Sequence, residues 1–287
     1  MATFSEEEFT PRMQNGETQK KVRLVGYELE VKRFDQEESD WIQNAISNVE
    51  GFAAYGSDGD DIEVVTDPIS TSLLVDNSYI GTIANLLAEK CEPCFGGGTH
   101  INVSMLPSDS KYTYENLLWM QMIYEGQLQK IFGRISSWAK SPTSCMFRNC
   151  TRRFDKKKLV ASPLMKGLFN LNFNDEKTSE EFSRMNNKAL LITNKTNRYE
   201  FRGGKSSVDE LELLAWGEFC VNFTEAAAKN KLGRTKFSDF IKGPHIEKYF
   251  NEVVQENKER KLKEAELKET LHSTKKLTIT DRRSKLL

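Results

Sequence analysis

A chain of 287 residues is long enough for one large domain, or for a domain with an appendage. With 38% hydrophobic and 10% aromatic residues it can fill a real core, and no apolar run approaches the length of a membrane span, so no membrane partner is expected. Its 41 basic against 42 acidic residues leave a formal charge of −1, which excludes a global pull toward nucleic acid or anionic membrane and leaves only local clusters to be weighed.

Residues 1–20 are polar and are expected to form a flexible N-terminal arm. With Glu6, Glu7 and Glu8 close together, the start reads as neither a signal nor a transit peptide. Five cysteines, an odd and modest number, fit reduced thiols, and the expected compartment is cytoplasmic. The run from Val22 to Val31 then reads as one strand. Residues two apart on a strand share a face, so Glu28 and Glu30 project together and Leu29 opposes them. Adjacent carboxylates repel, and burying either alone is costly. A solvated strand face accounts for the pair on its own; a divalent cation between them is the alternative.

Asp40 to Val49 has apolar residues at Trp41, Ile42, Ala45, Ile46 and Val49 and predicts a short helix. Gly51 and Gly56-Ser57-Asp58-Gly59 read as turns. Asp61 to Val65, carrying Glu63, predicts a second strand that Pro68 ends. Thr71 to Lys90 reads as one helix with Gly81 weakening its middle. Gly96-Gly97-Gly98 leads into a third strand, Thr99 to Val103, with His100 and Asn102 on one face. A long helix is predicted over Tyr114 to Arg134, and 136–165 reads as irregular. Leu168 to Phe173, Leu190 to Asn194 and Arg198 to Arg202 are strand candidates, the last placing Glu200 and Arg202 on one face. Val208 to Lys229 is the clearest later helix, built on Leu211, Leu214, Ala215, Phe219, Val221 and Ala226. Short strands with helices between only some of them predict an α+β domain over 21–242, a curved, mainly antiparallel sheet with helices on one face. Residues 243–287 read as a charged helical C-terminal extension.

Taken singly, Glu63 reads as a surface carboxylate, His100 as a hydrogen-bonded structural histidine, and Glu200 and Arg202 as a pair that neutralises itself across the pleat. Taken together with Glu28 and Glu30, they offer four carboxylates and one imidazole on strands that could share a sheet. Such an oxygen-rich set selects Mg²⁺ or Mn²⁺ over zinc and normally serves phosphate chemistry. The stretch from Arg148 to Lys158 holds six basic residues and one acidic. Alone it is a solvated loop, or an opening toward nucleic acid. Beside a phosphate site, Arg148 and Arg152 would clamp nucleotide phosphates or receive an anionic substrate, with Arg184 a weaker candidate for the same work. The pairs Cys91/Cys94 and Cys145/Cys150 are far apart and unequally spaced, a poor match to a zinc site.

In order, Gly26-Tyr27-Glu28-Leu29-Glu30, Asp58-Gly59-Asp60-Asp61-Ile62-Glu63-Val64-Val65-Thr66-Asp67-Pro68, Gly98-Thr99-His100-Ile101-Asn102-Val103 and Tyr199-Glu200-Phe201-Arg202-Gly203-Gly204 resemble the amidoligase family. That family groups with glutamine synthetase and glutamate–cysteine ligase among the carboxylate–amine ligases. The resemblance runs from about residue 22 to about 228 and includes Trp216 at the family's aromatic position. It implies a glutamine synthetase-like fold, metal ligation by Glu28, Glu30, Glu63, His100 and Glu200, and contact of Arg202 with a phosphate or the substrate carboxylate. Arg202 and Glu63 are the residues expected to act in the reaction. ATP and Mg²⁺ (or Mn²⁺) would drive amide formation between small-molecule or peptide carboxylate and amine substrates, through an acyl phosphate. Two departures stand out. Asp60 occupies a place where the family often has serine, and Asn102 one where it commonly has a second histidine. Two other readings are a guanidino-kinase-like phosphotransferase, which shares the sheet, and a non-catalytic binding or assembly protein on a retained ligase fold. The C-terminal helix is a candidate for homo-oligomerisation or for docking an acidic partner.

Overall fold

In the computed structural model the Glu28 strand lies at the centre of an antiparallel sheet. The structure describes residues 21–132 and 192–256 apart from 35–38, 50–51, 59–60, 76–77, 111–112, 196 and 230–235, together with Thr18, 139–140, 189–190, 259 and 263. In chain order the elements are β1 (Leu24–Arg33), α1 (Ser39–Ser47), β2 (Phe52–Asp58), β3 (Asp61–Thr66), β4 (Ile69–Ser70), α2 (Thr71–Val75), α3 (Ser78–Lys90), β5 (Cys91–Pro93), β6 (Gly98–Ser104), α4 (Thr113–Phe132), β7 (Ala139–Lys140), β8 (Ala189–Leu190), β9 (Ile192–Lys195), β10 (Arg198–Lys205) and α5 (Glu210–Ala228). The main sheet runs β2-β3-β1-β6-β10-β9 and is open, with β4 and β5 also pairing with β1. Every pairing within it is antiparallel. The fold is mixed helix and sheet.

Alternation decides the two faces. Tyr27, Leu29 and Val31 of β1, Ile62 and Val64 of β3, Ile101 and Val103 of β6, and Tyr199 and Phe201 of β10 are all buried. Tyr27 and Phe201 meet helix α5, which starts where the Asp209 carboxylate accepts from the Glu212 amide. Its core stripe, Leu213, Trp216, Cys220, Phe223 and Ala227, repeats at steps of three and four. Trp216 meets Phe201 edge-on with ring centroids 6.4 Å apart, and its indole N–H donates to the Thr99 carbonyl at 3.2 Å. Phe132 of α4 lies against Trp216, centroids 4.6 Å apart. Each such fully buried side chain contributes about 1.5–3 kcal/mol of transfer free energy. Gly217 sets how closely α5 approaches β1: a Cβ there would overlap the Tyr27 hydroxyl oxygen. A buried cation fixes the far end of the sheet. Arg23 donates to both Asp109 carboxylate oxygens, to the Ser104 carbonyl and to Glu225 of α5.

Several elements differ from the sequence reading. Phe52–Asp58, which includes the expected turn residues Gly56 to Asp58, is a strand that pairs with β3. The helix expected over Thr71 to Lys90 is two helices, α2 and α3. Gly81 does not interrupt α3; a Cβ there would lie 2.8 Å from the Glu210 carboxylate, so glycine serves packing against α5. On α5, Leu211, Val221 and Ala226 are only partly buried, because the helix turns the 213–216–220–223–227 stripe to the sheet.

The chain divides into two compact units, Met1–Glu247 and Lys248–Leu287. The division falls after the expected boundary at 242. Glu218 of α5 accepts from the amides of His245 and Ile246, which keeps those residues with the first unit. The second unit is helical over 248–256. No helix among the described residues is long and apolar enough to cross a membrane. Arg148, Arg152, Arg184, Cys145, Cys150, the strand expected over Leu168 to Phe173, the basic stretch 148–158, most of the arm and the last residues of the extension lie outside the described residues.

Gly217→Ala is expected to lower the free energy of unfolding in urea by about 2 kcal/mol or more, since an inserted methyl must displace Tyr27 or the helix. Tyr27→Phe in the same chain should recover part of that loss, because the hydroxyl is the nearest obstacle. Additive effects in this double-mutant cycle would show that the helix–strand contact is not the constraint.

Candidate metal centre

Residues paired across an antiparallel ladder share a face. Glu28 pairs with His100, Glu30 with Glu63, and Asn102 with both Gly26 and Glu200. The register therefore gathers the polar side chains of four strands on the face away from Tyr27 and Leu29.

His100, nearly buried, stands at the middle of the group. Its Nδ1 lies 3.2 Å from Glu28 Oε2 and 4.0 Å from Glu200 Oε1, while its Nε2 lies 3.9 Å from Glu30 Oε1. One ligand atom from each of Glu28, His100 and Glu200 falls within 4.8 Å of the others. Two donors about 2.1 Å from one ion are at most about 4.2 Å apart, so a contraction of less than about an ångström would bring all three onto one cation. Two carboxylates and one imidazole suit the harder divalent ions, with the imidazole favouring Mn²⁺ over Mg²⁺.

The structure thus groups three of the five expected ligands, and Glu30 and Glu63 border them. Glu30 Oε2 accepts from the Gly98 amide at 2.7 Å, which holds the glycine loop against the site. Gly98 leaves room for the ring: a Cβ there would sit 3.2 Å from His100 Nε2. Glu63 has its carboxyl pushed above the ordinary range, first by burial and then by the Glu28 and Glu30 carboxylates.

Cationic groups surround Glu200, which is 3% exposed. Arg202 Nη1 donates to Glu200 Oε1 at 2.9 Å, and Lys195 Nζ lies 3.3 Å from Glu200 Oε2. Arg202 thus takes part in the self-neutralising pair read from the sequence. Its Nε is buried and has no hydrogen-bond partner, so one donor of its fork is unspent. Arg198 Nε donates to Asn102 Oδ1 at 3.0 Å, and Asn102 Nδ2 donates to Glu28 Oε1 at 2.7 Å. Asn102 therefore holds Glu28 in place. Arg198 and Lys195 were not singled out from the sequence. Arg198 precedes Glu200 by two residues, so strand periodicity could have found it. Lys195 reaches the site only because β9 pairs with β10, which puts it opposite Arg198.

The Glu28 carboxyl titrates far below its ordinary value of 4.5. Burial pushes it up, but the hydrogen bond and charge of His100, the Asn102 amide and Arg198 outweigh that and lower it to about 2. Cys94 is removed from this chemistry. Its thiol donates to Asp61 at 3.2 Å, and burial and Asp61 push its proton affinity up. Among the described residues, no cysteine joins a group of three metal-type donors.

No protein-family model matches this chain, and no curated protein matches it.

A carboxyl held low in the folded state stabilises the fold above its unfolded value, and that stability is lost as pH falls from about 4.5 through about 2. The stability difference between the protein and its Glu28→Gln variant should therefore change by up to about 3 kcal/mol across that window, the folded protein losing ground as acid is added. Denaturant titrations at closely spaced pH values measure it. A difference that stays constant with pH would show Glu28 to be unpaired.

Proposed function

We propose that the protein is an ATP- and divalent-cation-dependent carboxylate–amine ligase. The observation that carries the reading is the Glu28–His100–Glu200 group on the polar sheet face, with Arg198, Arg202 and Lys195 beside it. The order of the four strand segments supplies the link to amidoligases. Glu28, His100 and Glu200 would hold a divalent ion, which would offset the repulsion of the two carboxylates and supply positive charge to phosphate chemistry. Arg202 would direct its spare Nε–H, and its remaining guanidinium donors, at charge building on the transferring phosphoryl group. Glu63, whose proton affinity is already raised, is suited to take the proton of the attacking amine.

One observation favours a second reading. Glu200 already has two cationic partners, Arg202 and Lys195, so the face can be neutral without metal, as a binding protein's would be. Melting curves with Mg²⁺ or Mn²⁺ and ATP separate the two, since a ligand that binds only the native state raises the midpoint. An upward shift is expected, lost in Glu28→Gln and Glu200→Gln, together with ADP release that requires both a carboxylate and an amine. No shift under any of these conditions would end the nucleotide reading. A shift without turnover would favour the binding protein, and ADP formed with a single acceptor would favour a phosphotransferase.

Arg202→Lys keeps the charge but not the fork. It is expected to melt near the parent while kcat falls on the order of 10²-fold, the scale of one lost transition-state donor. Full activity with a much lower melting point would assign the Arg202–Glu200 pair to stability alone.

A further inference from the structure

Residues 94–98 are an insertion in the row that pairs along one side of β1. Val31 pairs with Pro93 and Leu29 with Thr99, so these five residues all stand opposite Glu30. They fold into a tight turn in which the Gly97 amide donates to the Cys94 carbonyl at 3.3 Å. Gly96, at φ +101°, takes the third place of that turn, where glycine is favoured. The turn arches over the polar face. Cys94 Sγ reaches across β1 to donate to Asp61 Oδ1 at 3.2 Å, and Asp61, paired with Lys32, shares the face of Glu28 and Glu30. Both feet of the arch are pinned. The Cys94 amide donates to Ser206 Oγ, which donates in turn to the Glu30 carbonyl, and the Gly98 amide donates to Glu30 Oε2. At the crest stands Phe95, 89% exposed, the most exposed large apolar residue among those described. Three residues of chain separate it from Gly98, a reach of at most about 10 Å, and a Cβ on Gly98 would sit 3.2 Å from His100 Nε2.

An apolar ring kept in water forgoes the stabilisation that burial would give it, and here it is carried on a turn fixed beside the Glu28–His100–Glu200 group. Binding residues are commonly placed in this way, on a loop that a rigid scaffold holds. We propose that Phe95 is the stacking platform for the base of a nucleotide whose phosphates lie at that group. The inference rests on the nucleotide reading of the site and adds where the base goes. A ring on a pinned turn offers a flat face with little ordering cost on binding, and every base has a π-face to lay on it. The other residues of the crest, Gly96 and Gly97, have no polar side chain with which to read the edge of a base. The platform therefore accepts adenine and guanine alike.

The test is calorimetric binding to the whole chain with Mg²⁺ present, comparing ATP, GTP and inorganic tripolyphosphate, which has the phosphates without a base. Phe95→Ala should weaken ATP and GTP about tenfold each, the scale of one lost base–aromatic stack, and leave tripolyphosphate unchanged. Phe95→Trp keeps a π-face and should hold both nucleotides as the parent does. Its added fluorescence should be quenched by ATP and not by tripolyphosphate. ATP binding that is the same in the parent and in Phe95→Ala overturns the platform while leaving the phosphate site standing. So does a Phe95→Ala variant that loses ATP and tripolyphosphate to the same degree, which would make the turn a support of the site and not a contact with the base. A parent protein that binds neither ATP nor tripolyphosphate overturns both the platform and the nucleotide reading.

Discussion

The pairing of β1 with its two neighbours is the constraint on which the rest depends. Side-chain period is two on a strand, so a slip of one residue in β1 would send Glu28 and Glu30 into the helix layer and Leu29 to the polar face. Both neighbours oppose such a slip. Tyr27, Leu29 and Val31 are wholly buried on the helix side, and Ile62, Val64, Ile101 and Val103 lie with them. Tyr27 adds a directional lock, since its hydroxyl donates to the Leu213 carbonyl at 3.3 Å and fills the space that Gly217 leaves on α5. The hydrophobic core thus fixes the register, and the register delivers the polar residues to one another.

What the register creates is an electrostatic problem, and the solution is graded by strand. On β1, Glu28 receives His100 and the Asn102 amide and is held ionised. On β10, Glu200 receives Arg202 and Lys195. On β3, Glu63 faces Glu30 and shares the field of Glu28, and the response there is a raised proton affinity. Neighbouring carboxylates in one patch have been pushed in opposite directions, Glu28 down and Glu63 up. Separation of that kind is how one site comes to hold both a charged ligand and a proton-exchanging group.

The sheet was readable from sequence wherever a strand alternated between a buried and a polar face. Around Glu28, Glu63, His100 and Glu200 the apolar residues next to them in sequence announced both the strand and which of its faces is buried. The helix α5 was readable as a helix but not in its rotation, because it is apolar on most sides and its stripe is chosen by what it packs against. The β2 strand was hidden by Gly56-Ser57-Asp58, residues of turn character that pairing with β3 overrides. Within the site, the ligand-type residues were legible by chemistry, and so was the placing of Glu200 and Arg202 on one face. The distinction between the three grouped donors and the two bordering ones was not. It depends on where the Gly98 amide draws Glu30, a tertiary contact across 68 positions of chain.

Asn102 joins two charged groups of the polar face without direct contact between them. A histidine there would bring a second imidazole to the Glu28 and Glu200 side of the sheet, shifting the donor set toward the softer first-row ions. Asparagine brings a neutral amide whose two ends have opposite roles. One end accepts from Arg198 and the other donates to Glu28, so the side chain is oriented by the charges it joins. The result keeps the donor set dominated by oxygen and passes the influence of Arg198 to Glu28 through a hydrogen bond rather than by direct contact. Had the two charged groups met directly, Glu28 would have been bound as tightly as Glu200 is by Arg202. With the amide between them, one oxygen of Glu28 is steadied and the other, Oε2, stays turned toward His100 and the point where the three donors converge.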